Sequence, residues 1–225
     1  MLKGVIFDFD GTLFDSMFIW DTTGESYLRS IGKEPASDLQ RVLKPMSLLQ
    51  SANYLQAHYQ LSLSVEEICA GINQMVEDFY FHTVQPKPGV IELLEELHRR
   101  NIKMCIATAT DRYQVEAALA RCGMKQFFSK IFTCTEVGSG KNEPVIFRAA
   151  LEHLGTERGD TIVFEDAFHA AMAAKNDGFM VAAIYDAHED KQQDIQRLSD
   201  VYLTDFSDMT AFWEFASNLR REQPT

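Results

Sequence analysis

Short apolar runs alternate with amphipathic helical patterns along most of this chain, and that alternation narrows the fold more than any other feature. Val5-Ile6-Phe7, Met104-Cys105-Ile106-Ala107, Ile131-Phe132-Thr133, Thr161-Ile162-Val163-Phe164, Val181-Ala182-Ala183-Ile184 and Val201-Tyr202-Leu203 read as strands. Their lack of polar alternation suits a sheet covered on both faces. Between them, Val90, Ile91, Leu93, Leu94 and Leu97 form one helical stripe, with Glu92, Glu95, Glu96, Arg99 and Arg100 opposite. Val115, Ala118, Leu119 and Cys122 form a second stripe that ends at Gly123, and Ile146, Phe147, Ala150, Leu151 and Leu154 a third that ends at Gly155. Strand and helix in turn from residue 87 onward predict a parallel α/β sheet with right-handed crossovers.

Residues 15–86 follow another pattern, with no convincing strand. Helical periodicity runs over Met17–Ile31, Leu48–Tyr59 and Val65–His82. The last opens with Ser64-Val65-Glu66-Glu67, a capping-box pattern, and sets Ile68, Ile72, Met75, Val76 and Phe79 on one face. Pro86-Lys87-Pro88-Gly89 breaks the chain before the strands resume. An all-helical insert therefore follows the first strand. The tail, Arg220 to Thr225, reads as frayed.

At 225 residues with 46% hydrophobic content the chain can bury a substantial core. The formal charge of −12 argues against non-specific binding to nucleic acid and against anionic membrane surfaces. No run reaches the length of a membrane helix, and the opening apolar run is too short, and too soon followed by acids, for a signal peptide. Cys69, Cys105, Cys122 and Cys134 form no metal-ligand spacing and read as reduced thiols. These observations lead us to expect a cytoplasmic protein, a monomer, with neither nucleic acid nor membrane as partner.

Chemistry is concentrated at Asp8-Phe9-Asp10-Gly11-Thr12, directly after the first strand. Residues two apart on an extended segment project to one side, so both carboxylates would share a site that calls for a cation or a proton. Gly11 permits a turn there, and the C-terminal ends of parallel strands are where such sheets bind ligands. A solvated acidic turn is the plainer alternative. Placement right after a buried strand favours function.

Asp8-Phe9-Asp10-Gly11-Thr12-Leu13 resembles the first signature of the haloacid dehalogenase superfamily. Three further segments match in order: Ile106-Ala107-Thr108-Ala109-Thr110, a strand ending in a hydroxyl residue; Gly140-Lys141-Asn142-Glu143-Pro144, a Lys followed three residues later by Pro; and Ile162-Val163-Phe164-Glu165-Asp166, a strand ending in paired acids. The helical insert is similar to the small cap of the branch that includes β-phosphoglucomutase and many sugar-phosphate phosphatases. The resemblance implies an α/β fold, with a parallel-sheet Rossmann-like core (residues 1–14 and 87–225) and an inserted all-helical cap domain (residues 15–86). It also implies a Mg²⁺-dependent phosphatase of a small phosphorylated metabolite, with a sugar phosphate as the leading substrate.

In that reading Asp8 is the nucleophile, since a carboxylate needs no base to activate it. Asp10 protonates the leaving alcohol and then takes a proton from the attacking water, so it must carry a proton when substrate arrives. Thr108, the N–H of Ala109 and Lys141 hold the phosphate oxygens. Mg²⁺ would lie among the Asp8 carboxylate, the Asp10 carbonyl and Asp166, with Glu165 as a further metal or metal-water ligand. Thr110 or Asp111 is expected to cap the following helix, which leaves Thr108 free. Glu165 and Asp166 could also serve only as acids at the start of the next helix, and there Ala167 and Ala170 depart from the family's usual Ser and Gly.

Asp10 argues against dehalogenation, because a halide leaves without a proton. Trp20 stands where the mutase has a hinge His, and Leu48-Leu49 roughly where it has a cap Arg, so hydrolysis is favoured over mutation; a mutase and a non-catalytic binding protein remain the rivals. Lys44-Pro45-Met46-Ser47-Leu48-Leu49-Gln50 is similar to the cap of phosphonoacetaldehyde hydrolase, but Gln50 stands where an imine-forming Lys is needed. Lys44 and Trp20 are the candidate cap contacts. Trp20, Met46, Met75 and residues 79–81 read more simply as core, and His188-Glu189-Asp190-Lys191 as a solvated helix face.

Overall fold

The computed structural model describes residues 1–43, 46 and 48–219. Along the chain, β1 (Gly4–Phe7) and the short β2 (Phe14–Asp15) precede four helices, α1 (Met17–Ser30), α2 (Leu39–Leu43), α3 (Leu48–His58) and α4 (Val65–His82). There follow β3 (Gln85–Pro86), α5 (Val90–Arg99), β4 (Lys103–Thr108), α6 (Arg112–Arg121), β5 (Ile131–Thr133), α7 (Cys134–Val137) and α8 (Val145–Leu154). The chain continues through β6 (Thr161–Glu165), α9 (Phe168–Asn176), β7 (Met180–Ile184), α10 (Gln192–Leu198), β8 (Val201–Leu203) and α11 (Thr210–Asn218). Two units divide it: Met1–Asp15 with Gln85–Thr225, and Ser16–Val84.

The first unit holds a parallel sheet in the order β5-β4-β1-β6-β7-β8. The chain builds outward from β1 through β4 to β5, then returns to β6 on the other side of β1. Strand order reverses at β1, the place where open α/β sheets bind ligands beyond their carboxyl ends. Burial explains the apolar strands: every residue of β1 and β6 is buried. On one face Ile6, Cys105, Val163 and Val181 pack with Ile146, Phe147, Ala150 and Leu154 of α8 and Ala170, Ala171 and Ala174 of α9. Gly155 caps α8 in the left-handed region, as its position in the sequence predicts.

The second unit is helical. Tyr27, Leu28, Leu39, Ala52, Leu55, Ile68 and Ile72 form its core. The capping box that opens α4 is formed in both directions, Glu67 N–H to Ser64 Oγ and Ser64 N–H to Glu67 Oε2. Trp20, expected in the core, is instead half exposed on α1. The region holds one short helix that periodicity did not show, α2, because five residues are too few to carry a stripe. At its margins, where the sequence shows no strand pattern, Phe14 pairs with Pro86 and Asp15 with Gln85 in a two-residue antiparallel ladder. So short a ladder leaves no pattern in sequence. Lys44 and the 220–225 tail lie outside the described residues. Among those described, no helix is long and apolar enough to cross a membrane, and the four cysteines are free.

Candidate active site

The site is built at the carboxyl ends of β1, β4 and β6. Phe7 lies level with Ile106 on one neighbour and Phe164 on the other, so the residues that follow emerge side by side at inter-strand spacing. Asp8 is the first of them, and its N–H donates to Phe164 O at 2.9 Å. The chain then turns sharply. Leu13 and Phe14 N–H both donate to Phe9 O, Gly11 N–H donates to Phe14 O, and the Phe9 and Phe14 rings stack at 4.4 Å. Gly11 has φ +72, which a side chain would strain. This turn buries Thr12 and aims its hydroxyl at Asp166 Oδ1, 2.9 Å away.

Lys141, in the loop between α7 and α8, is buried and donates to Asp8 Oδ1 and, at 2.7 Å, to Glu165 Oε1. Glu165 ends β6 and is fully buried; Asp166 follows it, also buried. One carboxylate oxygen from each of Asp8, Glu165 and Asp166 lies within 4.8 Å of the others. Asp10 takes a different partner, accepting from Thr110 Oγ1 at 2.5 Å. Thr108, fully buried at the end of β4, accepts the Thr110 N–H at 3.0 Å. Ala109 between them is exposed. Neither predicted cap of α6 forms through a side chain. Asp111 occupies the N-cap position without such a bond, and the Thr110 hydroxyl is spent on Asp10.

Thus Asp8, Lys141, Glu165 and Asp166 are brought together, and Asp10 is tied to Thr110 and through it to Thr108. Sequence reasoning assigned no such role to Thr12 or Thr110. Thr12 was visible in the first motif, but nothing in the chain shows that its hydroxyl reaches a residue 154 positions away. Trp20 belongs to the helical unit, where it lines a cavity of about 260 Å³ with Asp21, Gln40, Leu43 and Asn73.

The electrostatics follow from burial. Removal from water raises Glu165 to about 7; Asp8 adds to the rise and Lys141 opposes it. Asp166 is raised well above the usual carboxylate value, by burial first and then by the charges of Asp8, Glu165 and Asp186, with the Thr12 hydrogen bond pulling the other way. Burial opposes the charge on Lys141, but Asp8 and Glu165 outweigh it and hold the ammonium above its ordinary value. Three buried carboxylates against one ammonium leave an excess of negative charge that a cation would relieve. The donors are all oxygen, the set that suits a hard ion such as Mg²⁺ rather than a thiophilic one. Asp8, Glu165 and Asp166 therefore fit the ion that the sequence resemblance implies.

A raised folded-state carboxyl stabilises below its unfolded pKa, and that contribution is lost as pH rises through the folded value. In EDTA, Glu165 should make the protein less stable as pH climbs from about 4.5 to about 7, with Asp166 acting in the same sense. His169, lowered by burial and by Lys141, acts oppositely. The comparison that isolates Glu165 is urea unfolding of wild type and Glu165→Gln at pH 5 and pH 7.5. The variant is expected to gain on the wild type as pH rises, and parallel profiles would exclude a raised Glu165.

A family model described as haloacid dehalogenase-like hydrolase matches residues 5–184. Among curated proteins, (DL)-glycerol-3-phosphatase 2 of Arabidopsis thaliana is 30% identical over 213 residues, 90% of this chain and 88% of that one. The phosphorylated carbohydrates phosphatase of Thermotoga maritima is 27% identical over 177 residues, 79% of this chain and 82% of that one. Among solved structures, a HAD hydrolase of family IA, variant 3, from Entamoeba histolytica superposes with a TM-score of 0.77 at 21% identity, covering 98% of this chain and all of that one.

Proposed function

Because the chain belongs to the haloacid dehalogenase-like hydrolase family and is a phosphoric monoester hydrolase of that family, we propose that it is a Mg²⁺-dependent phosphatase of a small phosphorylated metabolite, a sugar phosphate foremost, working through a phosphoaspartate on Asp8. The observation that carries this reading is Lys141, buried and shared between Asp8 and Glu165, with Asp166 in the same cluster. The names of the two curated relatives, one a phosphatase of phosphorylated carbohydrates and the other a glycerol-3-phosphatase, support the substrate class. The reading takes the enzyme to be a cytoplasmic monomer.

The chemistry asks little of the protein beyond placement and charge. A carboxylate oxygen of Asp8 attacks phosphorus in line with the ester oxygen, and the P–O bond to the alcohol breaks. Asp10 gives its proton to the departing alkoxide, so the product leaves as a neutral alcohol. Thr110, bonded to Asp10, fixes the rotamer from which that proton is delivered. Water then attacks phosphorus, Asp10 takes its proton, and Asp8 is released with inorganic phosphate. Lys141, the Thr108 hydroxyl and the Ala109 N–H hold the non-bridging oxygens, whose charge they offset through both steps. Asp8, Asp166 and Glu165, with the Asp10 carbonyl, would hold Mg²⁺, which when bound neutralises phosphate charge and makes phosphorus more electrophilic.

Two measurements test this. EDTA-treated enzyme is expected to release no phosphate from any member of a sugar-phosphate panel, and added Mg²⁺ to restore release. Undiminished release in EDTA would remove the metal from the mechanism. The same panel identifies the substrate; turnover confined to compounds other than sugar phosphates would correct the substrate class.

A further inference from the structure

By its charge, His188–Lys191 reads as a solvated helix face. It lies instead in a turn between β7 and α10, where Asp190 and Lys191 are exposed, His188 and Glu189 are half-buried and Asp186 is buried. Asp186 in this turn is 3% exposed. One of its carboxylate oxygens accepts from Lys87 Nζ at 2.9 Å and the other from His188 N–H at 2.9 Å. Lys87 also donates to Tyr185 O at 2.9 Å, and its side chain is only 10% exposed. A buried ion pair contributes little net stability, because desolvation offsets the attraction. What such a pair does supply is a fixed position.

The other end of the turn reaches α9. That helix starts two residues after Asp166, and the residue in its N-cap position is Ala167, which has no acceptor on its side chain. The first N–H groups of a helix have no partner within it. Glu189 supplies one from outside: its Oε2 accepts the Phe168 N–H at 2.9 Å, while its Oε1 accepts the Lys191 N–H at 2.7 Å. The Lys191 ammonium stands 5.0 Å from the centre of the Phe168 ring. Through Lys87 the same turn is also joined to the segment whose Thr12 holds Asp166. Lys87 N–H donates to Leu13 O, and the neighbouring Thr12 holds Asp166 Oδ1.

We propose that the 185–191 turn is a positioning clamp for Asp166, with Glu189 supplying the helix cap that Ala167 cannot and the Lys87–Asp186 pair anchoring the turn to the segment that carries Thr12. Glu189 is thus a positioning residue. It acts through the start of α9, and the proposal rests on the reading of Asp166 as a Mg²⁺ ligand. A carboxylate displaced by a fraction of an ångström binds its ion more weakly without leaving the site, so the clamp is read in metal affinity rather than in folding.

The experiment is calorimetric titration of Mg²⁺ into the metal-stripped full chain, for wild type, Glu189→Ala, Glu189→Gln and Asp166→Asn, with the melting temperature of each measured alongside. Glu189→Ala is expected to weaken Mg²⁺ by about tenfold, as loss of a group that orients a ligand does. Glu189→Gln keeps an acceptor oxygen and is expected to stay within about twofold of wild type. Asp166→Asn is expected to show no measurable heat. If Glu189→Ala lowers only the melting temperature while Asp166→Asn abolishes binding, Glu189 is structural and the clamp is wrong. If Ala and Gln at 189 weaken binding equally, the charge of Glu189 matters and its capping does not, which also overturns the proposal. Binding unchanged in Asp166→Asn would instead overturn the metal reading itself.

Discussion

Asp8→Asn is expected to abolish phosphate release from p-nitrophenyl phosphate, by about 10³-fold or more, the scale on which loss of a nucleophile is felt. The substitution is nearly isosteric. An amide oxygen can still accept from Lys141, so the buried contact that Asp8 makes keeps its shape. What disappears is the anionic oxygen that would bond to phosphorus, and with it the first of the two displacement steps. Phosphate release measured with Mg²⁺ present separates the alternatives. If Asp8 only held the ion, excess Mg²⁺ would recover much of the rate. Turnover at the wild-type level would end the phosphoaspartate proposal.

Lys141→Met carries the second large effect, and it reaches stability as well as activity. The methionine fills similar space but leaves Asp8 and Glu165 facing each other without the ammonium that both now share. Breaking a buried pair by removing one partner costs about 3 kcal/mol or more. Urea unfolding in EDTA at pH 8 is expected to show a loss of that order. At pH 5 the loss shrinks, because Glu165, already raised to about 7 by burial, takes up a proton and the repulsion fades. Mg²⁺ at pH 8 should return part of the stability but little phosphate release, since the phosphate would still lack the charge of Lys141. A variant as stable as wild type at pH 8 would mean that Lys141 does not hold this cluster together.

The sheet was legible because parallel strands buried on both faces must be apolar along their whole length; Ile131–Thr133 and Val201–Leu203 are strands with the bounds that pattern suggests. Helix ends were legible where a residue with special chemistry marks them, as Ser64 and Glu67 do at α4 and Gly155 at α8. What escaped was structure made by contacts between segments distant in sequence. The β2–β3 ladder joins residues about 70 apart and has too few residues for a period. In the 188–191 stretch Asp190 and Lys191 are solvated, as charge predicts on average, but the segment is a turn rather than a helix face, and Glu189 accepts a helix N–H from a residue 21 positions away.

The sequence by itself determined which residues carry charge, nucleophile and hydroxyl, and that Asp8, Thr108, Glu165 and Asp166 stand at or just past strand ends, because strand period and motif order are local properties of the chain. Tertiary structure alone decided who meets whom: Thr12 with Asp166, Thr110 with Asp10, Lys141 with both Asp8 and Glu165, and Glu189 with the start of α9. Those partners lie between 21 and 154 residues apart. Only the parallel register of neighbouring strands and the loops leaving them bring such groups within hydrogen-bond reach; removal from water there raises Glu165 and Asp166, while the Asp8 and Glu165 carboxylates raise Lys141 against the effect of its burial.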